Sequence, residues 1–70
     1  MILTQDEIKE LIQKETPTEI QMCKVIQNYL YLKTKDKIYI KNPISYTSNK
    51  LMRTAYTKAV NYFTIKYKIK

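Results

Sequence analysis

Three carboxylates crowd the first part of this chain. Asp6, Glu7 and Glu10 fall within one and a half helical turns, and carboxylates at i and i+3 or i+4 are able to hold a divalent cation through oxygen. Acids in the first turns of a helix also complement its dipole and keep its surface hydrated, and this plainer role is the expected one. The single cysteine, Cys23, has no partner for an internal disulfide. With no histidine in the sequence, a zinc site of the usual Cys/His type has no ligand set. Cys23 lies on an apolar helical arc, where a thiol behaves as a small hydrophobe. General-base chemistry near neutral pH has no imidazole to run on, a phosphate-cradling loop has no glycine, and no serine sits in a nucleophile elbow. The expectation is a non-enzymatic protein that works by binding, without a cofactor.

A different chemistry is spelled out around residues 48–63. At helical spacing Lys50, Arg53, Thr54, Thr57, Lys58 and Asn61 share one half of the wheel, and Leu51, Met52, Ala55, Tyr56, Ala59, Val60, Tyr62 and Phe63 share the other. No acid interrupts the polar half. A solvated helix usually mixes both signs for i,i+4 pairing, whereas lysine and arginine without acids suit phosphate, and Asn, Thr and Arg are able to read base edges. Nucleic acid is therefore the expected partner, duplex DNA favoured. Lys37, Lys66 and Lys68 are expected to add phosphate contacts from two flanking strands. Tyr39, Tyr46 and Tyr67 interleave with those lysines, a pattern that also suits stacking on single strands.

Charge is sorted along the chain. The first twenty residues hold five acids against Lys9 and Lys14, a net of −3; from residue 21 onward eleven cations stand against Asp36 alone, a net of +10. The total of +7 has a bland source in lysine-rich codon usage, since twelve Lys, ten Ile, seven Tyr and four Asn read as an AT-rich gene. Codon bias does not sort acids from bases, and a cationic pole attracts polyanions. The competing expectation is a protein-interaction module of the kind AT-rich phages and mobile elements encode, an inhibitor or adaptor of a host protein. Head-to-tail self-association through the acidic segment is a third.

These residues must be positioned by one small α+β domain. Thr4 and Glu7 form a capping box, with Leu3 and Ile8 as its hydrophobic staple, and predict a helix over about 5–14. Thr16, Pro17 and Glu19 repeat that grammar and predict a helix over about 17–31. Its core arc is Met22, Cys23, Val25, Ile26, Tyr29 and Leu30; Gln21, Lys24, Gln27 and Asn28 face away. Alternation predicts a strand over about 37–41, ended by Asn42-Pro43. Thr47 or Ser48 caps a third helix over about 48–63. A second strand over about 63–69, with Phe63, Ile65, Tyr67 and Ile69 inward, closes a two-stranded antiparallel sheet. The order α-α-β-α-β resembles parts of winged-helix domains, but departs from them where a strand separates the second helix from the third, so no family residue is carried over.

Seventy residues leave a thin core. With an internal disulfide and a Cys/His zinc site excluded, a homodimer is the remaining supplement to stability. The N-terminal residues have neither a basic nor an apolar signal-peptide region, and the longest apolar run is Tyr29–Leu32. A cytoplasmic protein with no membrane partner is expected.

Overall fold

The computed structural model describes residues 2–41 and 48–69. Among them every regular element is a helix: α1 Gln5–Ile12, α2 Glu19–Thr34, the single turn α3 Ile38–Lys41, and α4 Asn49–Lys66. The expected α+β architecture is thus corrected to an all-helical one, and with the sheet goes the winged-helix likeness.

The first capping box closes as its residues dictate. Thr4 Oγ1 accepts the Glu7 N–H at 3.2 Å, and Glu7 Oε1 accepts the Thr4 N–H at 3.0 Å. The second box forms two residues later than expected, between Thr18 and Gln21 rather than Thr16 and Glu19. Pro17 then lies outside the helix, and six residues, not two, join α1 to α2. At its other end α2 runs on to Thr34 and stops at Lys35, whose φ of 62° is left-handed. A chain without glycine must place another residue there, at a cost of about 1–2 kcal/mol.

Both expected strands give way to helix and turn for one connected reason. Phe63 and Tyr67 share a face at i,i+4, and α4 continues through this stretch with their rings stacked at 5.5 Å between centroids. Phe63 is fully buried, while Ile65, placed inward by the period-two reading, is 80% exposed. Residues 37–41 consequently have no strand to pair with among the described residues. Their backbone closes on itself instead: Lys37 C=O accepts from Ile40 and Lys41 at 3.1 Å, and Asp36 Oδ1 accepts the Ile38 N–H at 3.0 Å. The Asn42-Pro43 break and Tyr46 lie outside the described residues.

The core is one cluster built on α2 and α4. Val25, Ile26 and Met22 of α2 meet Ala59, Phe63 and Met52 of α4, and Ile8 of α1 and Leu3 complete it. Full burial of side chains such as Phe63, Ile8 and Ile26 stabilises by roughly 1.5–3 kcal/mol each. Tyr56 ties α1 to α4, its hydroxyl donating to Leu11 C=O at 3.5 Å, and its burial pushes the phenol pKa up.

Asn28, placed by the wheel on the polar face of the second helix, is only 2% exposed. Its Oδ1 accepts the Leu3 N–H at 2.8 Å, and its Nδ2 donates to Lys24 C=O at 2.8 Å. This amide fixes the N-terminal segment across α2 and seats Leu3 in the core. Asn28→Ala strands the buried Leu3 N–H and is expected to cost about 1–3 kcal/mol. For a domain of this size the melting midpoint should fall by roughly 4–8 °C per kcal/mol. An unchanged thermal melt would remove Asn28 from this role.

The Glu7 carboxyl sits below its ordinary pKa of 4.5, held there first by the Thr4 N–H and then by the Thr4 hydroxyl, with Lys24 adding attraction. A folded-state pKa below the unfolded one gives stability that is present above the unfolded value and lost as pH falls through the folded one. Glu7→Gln keeps the capping geometry, as Gln21 does, but does not titrate. Its melting temperature should fall less steeply than that of the parent between about pH 5 and about pH 3; parallel acid limbs would contradict this.

Candidate nucleic-acid interface

The outward side of α4 is set by what its inward side buries. Met52, Ala59 and Phe63 define the core meridian, so residues about 180° away at 100° per residue must face water. Lys50, Arg53, Thr54, Thr57, Lys58 and Asn61 are all exposed, and the structure brings these six expected residues together on one face. They form two rows at i, i+4 and i+8: Lys50–Thr54–Lys58 and Arg53–Thr57–Asn61. Ser48 starts the helix, its Oγ accepting the Leu51 N–H at 3.2 Å. Within α4 there is no carboxylate. Lys50 and Lys58 stand about 12 Å apart along the axis, from a rise of about 1.5 Å per residue, so a nucleic-acid backbone would meet them at different phosphates.

The threonines narrow what this face can do. Thr54 Oγ1 donates to Lys50 C=O and Thr57 Oγ1 donates to Arg53 C=O, both at 2.9 Å. Their protons are committed inside the helix, and what they show outward is acceptor lone pairs. Donors to phosphate then come from Lys50, Arg53, Lys58 and the Asn61 amide. The two rows also differ in surroundings. Arg53 lines a groove with Glu15 and Lys14 of the α1–α2 connection, whereas the groove that Lys58 borders contains no carboxylate.

Lys37, Lys66 and Lys68 do not join this face, and none of them lies on a strand. Lys37 sits in the turn ahead of α3. Lys66 ends α4 with its Nζ 5.8 Å from the Tyr62 ring centroid, on the flank that meets α2. Lys68 follows α4 with a left-handed φ of 54°, next to the Ile69 N–H that bonds back to Thr64 C=O at 3.0 Å. Cations here complement the helix C-terminus, which explains Lys66 and Lys68 without a ligand.

Lys33, expected from the sequence to flank the first strand, lies instead in the last turn of α2. It projects from α2 beside the groove Lys58 borders, its Nζ 3.4 Å from the Tyr29 hydroxyl and 5.6 Å from that ring's centroid. Tyr29 in turn meets Tyr62 edge to face at 5.0 Å. The available signal was its i+4 spacing from Tyr29, hidden while the helix was expected to stop near residue 31.

No group of His, Cys, Asp or Glu among the described residues is placed to hold a metal ion. Among the same residues no helix is long and apolar enough to cross a membrane. The chain matches no family model, no curated protein and no solved structure. Cys23 Sγ–H donates to Met52 Sδ at 3.9 Å, and burial first, then Glu19, pushes the thiol pKa up. Less thiolate means slower nucleophilic attack. Alkylation by iodoacetamide at neutral pH should run several-fold slower on the folded protein than after denaturation; equal rates would show an accessible, ordinary thiol.

Proposed function

We propose that this chain is a non-enzymatic nucleic-acid-binding protein, a small regulator or accessory factor that lays the outward face of α4 on a phosphate backbone, with duplex DNA the favoured target. The observation that carries the reading is the acid-free row of Lys50 and Lys58 beside Arg53, all exposed on one side of an 18-residue helix. Supporting it is the placement of the carboxylates, five of six of which precede residue 21 and are confined to α1, its connection to α2 and the first residue of α2. Committed threonine hydroxyls leave few donors for reading bases, so this face favours affinity for phosphate over choice of sequence.

Duplex binding followed by anisotropy across a salt series is the test. Three phosphate contacts predict log affinity falling against log salt with a slope of about −2.7. Converting Lys50, Arg53 and Lys58 together to glutamate should abolish binding while leaving the helical circular dichroism intact. Lys9→Glu on α1, an equal charge change per site away from the face, should cost far less. A flat salt slope, or a triple variant that binds as well as its parent, would sink the reading.

A further inference from the structure

An open groove of about 460 Å³ separates the later part of α2 from the early part of α4. Ile26 and Leu30 from one helix and Leu51 and Ala55 from the other give it an aliphatic lining. Leu51 is 54% exposed, although the helix wheel groups it with core residues. Single exposed leucines are ordinary on protein surfaces; this one belongs to an apolar trough. Each wall also contributes one exposed ammonium, Lys33 from α2 and Lys58 from α4, and no described carboxylate joins the lining.

Charge decides among the occupants. A second copy docking through the same groove would bring its own Lys33 and Lys58 against these, and like charges across an isologous contact repel. Nucleic acid would satisfy Lys58 with phosphate but leave Leu30 and Leu51 without an apolar partner. A helix with aliphatic side chains on one face and carboxylates beside them answers both the trough and its two cations. We infer that the groove between α2 and α4 docks a short acidic amphipathic segment of a partner protein, its aliphatic anchors against Leu51 and Leu30 and its carboxylates on Lys33 and Lys58. Lys58 and Thr54 border this groove and also stand on the outward face of α4, so an acidic segment seated here competes with a phosphate backbone there. The groove itself does not depend on the nucleic-acid reading.

The probe is a fluorescein-labelled helical peptide carrying leucines at i, i+4 and i+7 flanked by glutamates, titrated against the full chain. Saturable binding is expected. Leu51→Asn, at a position already more than half exposed, should weaken it at least about fivefold, and the pair Lys33→Glu and Lys58→Glu should do the same, where about tenfold corresponds to 1.4 kcal/mol. Lys14→Glu should leave it within about twofold, a difference below about 0.5 kcal/mol. On the unmodified protein, peptide-induced amide shifts should centre on Ile26, Leu30, Leu51 and Ala55, a readout that needs no variant to fold. The inference is overturned by the absence of saturable binding, by shifts centred elsewhere, by equal affinity for a peptide with alanine in place of leucine, or by light scattering that shows a dimer whose formation blocks the peptide. A labelled duplex added to the same titration separates the two ideas: a duplex that never binds removes the nucleic-acid reading and leaves the groove standing.

Discussion

Phe63 is held at zero exposure between α2 and α4, and nearly every other feature follows from keeping it there. Its ring meets Tyr62 at 5.3 Å and Tyr67 at 5.5 Å, so three aromatic side chains within six residues pack on a backbone that is helical to Lys66 and capped at Tyr67. Ala59, one turn earlier and also fully buried, has no bulk to hold the two helices apart. With α4 committed through Lys66, no strand remains among the described residues to pair with residues 37–41, and that short piece satisfies its own hydrogen bonds as a turn. Rotation about the α4 axis is fixed by the same contact. Once Met52, Ala59 and Phe63 face inward, Lys50, Thr54 and Asn61 have no choice but to face out. The candidate face is thus a consequence of the core, and a substitution that loosened Phe63 would blur both together.

Charge sorting along the chain becomes sorting in space because α1 lies to one side of α4. Tyr56 anchors α1 through Leu11, which carries Glu15 into the groove that Arg53 borders. The opposite flank, toward Lys33 and Lys58, borders a groove without a described carboxylate. The polar half of α4 therefore has different neighbours at its two edges, a groove with Glu15 and Lys14 at the Arg53 edge and one without a described carboxylate at the Lys58 edge. Screening over about 10 Å at 0.1 M salt keeps such a local difference meaningful, since the neighbours of each cation count for more than the net charge of the whole.

The helices and their faces were legible because their signals are local. Thr4 with Glu7, and the apolar spacing from Met52 to Phe63, require no knowledge of what lies elsewhere in the chain. The sheet was misread because residues 63–69 satisfy two periods at once: Phe63, Ile65, Tyr67 and Ile69 alternate, while Ala59, Phe63 and Tyr67 recur every four. Local pattern cannot arbitrate between them; the core already waiting on α2 does. Asn28 was misplaced for a related reason. On a wheel it is a polar residue among polar residues, and its burial becomes favourable through the distant Leu3 N–H, 25 positions away, together with the Lys24 C=O one turn earlier. The candidate face survived these errors since Lys50, Arg53 and Lys58 depend on the phase of one helix and not on its partners. Lys37, Lys66 and Lys68 did not join it, having been placed by a sheet that does not form.

The side-chain hydrogen bonds of α4 bear on what kind of recognition such a face supports. Reading a base edge calls for donors and acceptors in a set pattern, usually with bidentate geometry. Thr54 and Thr57 have turned their protons back to carbonyls one turn earlier, which leaves Arg53 and Asn61 as the only side chains on the face with the planar, paired groups that bidentate contacts use. Arg53 is also the cation of this face that shares a groove with an acid, Glu15. Lys50 and Lys58 are compact charges on flexible stems, well suited to meeting phosphates at variable positions and poorly suited to fixing a register. A helix built this way gains attraction from two mobile ammonium groups and little discrimination from anything between them. Any selectivity in what the protein engages would then have to come from shape, or from the apolar trough beside Lys58, where Leu51 and Leu30 reward only a partner that brings hydrocarbon with its charge.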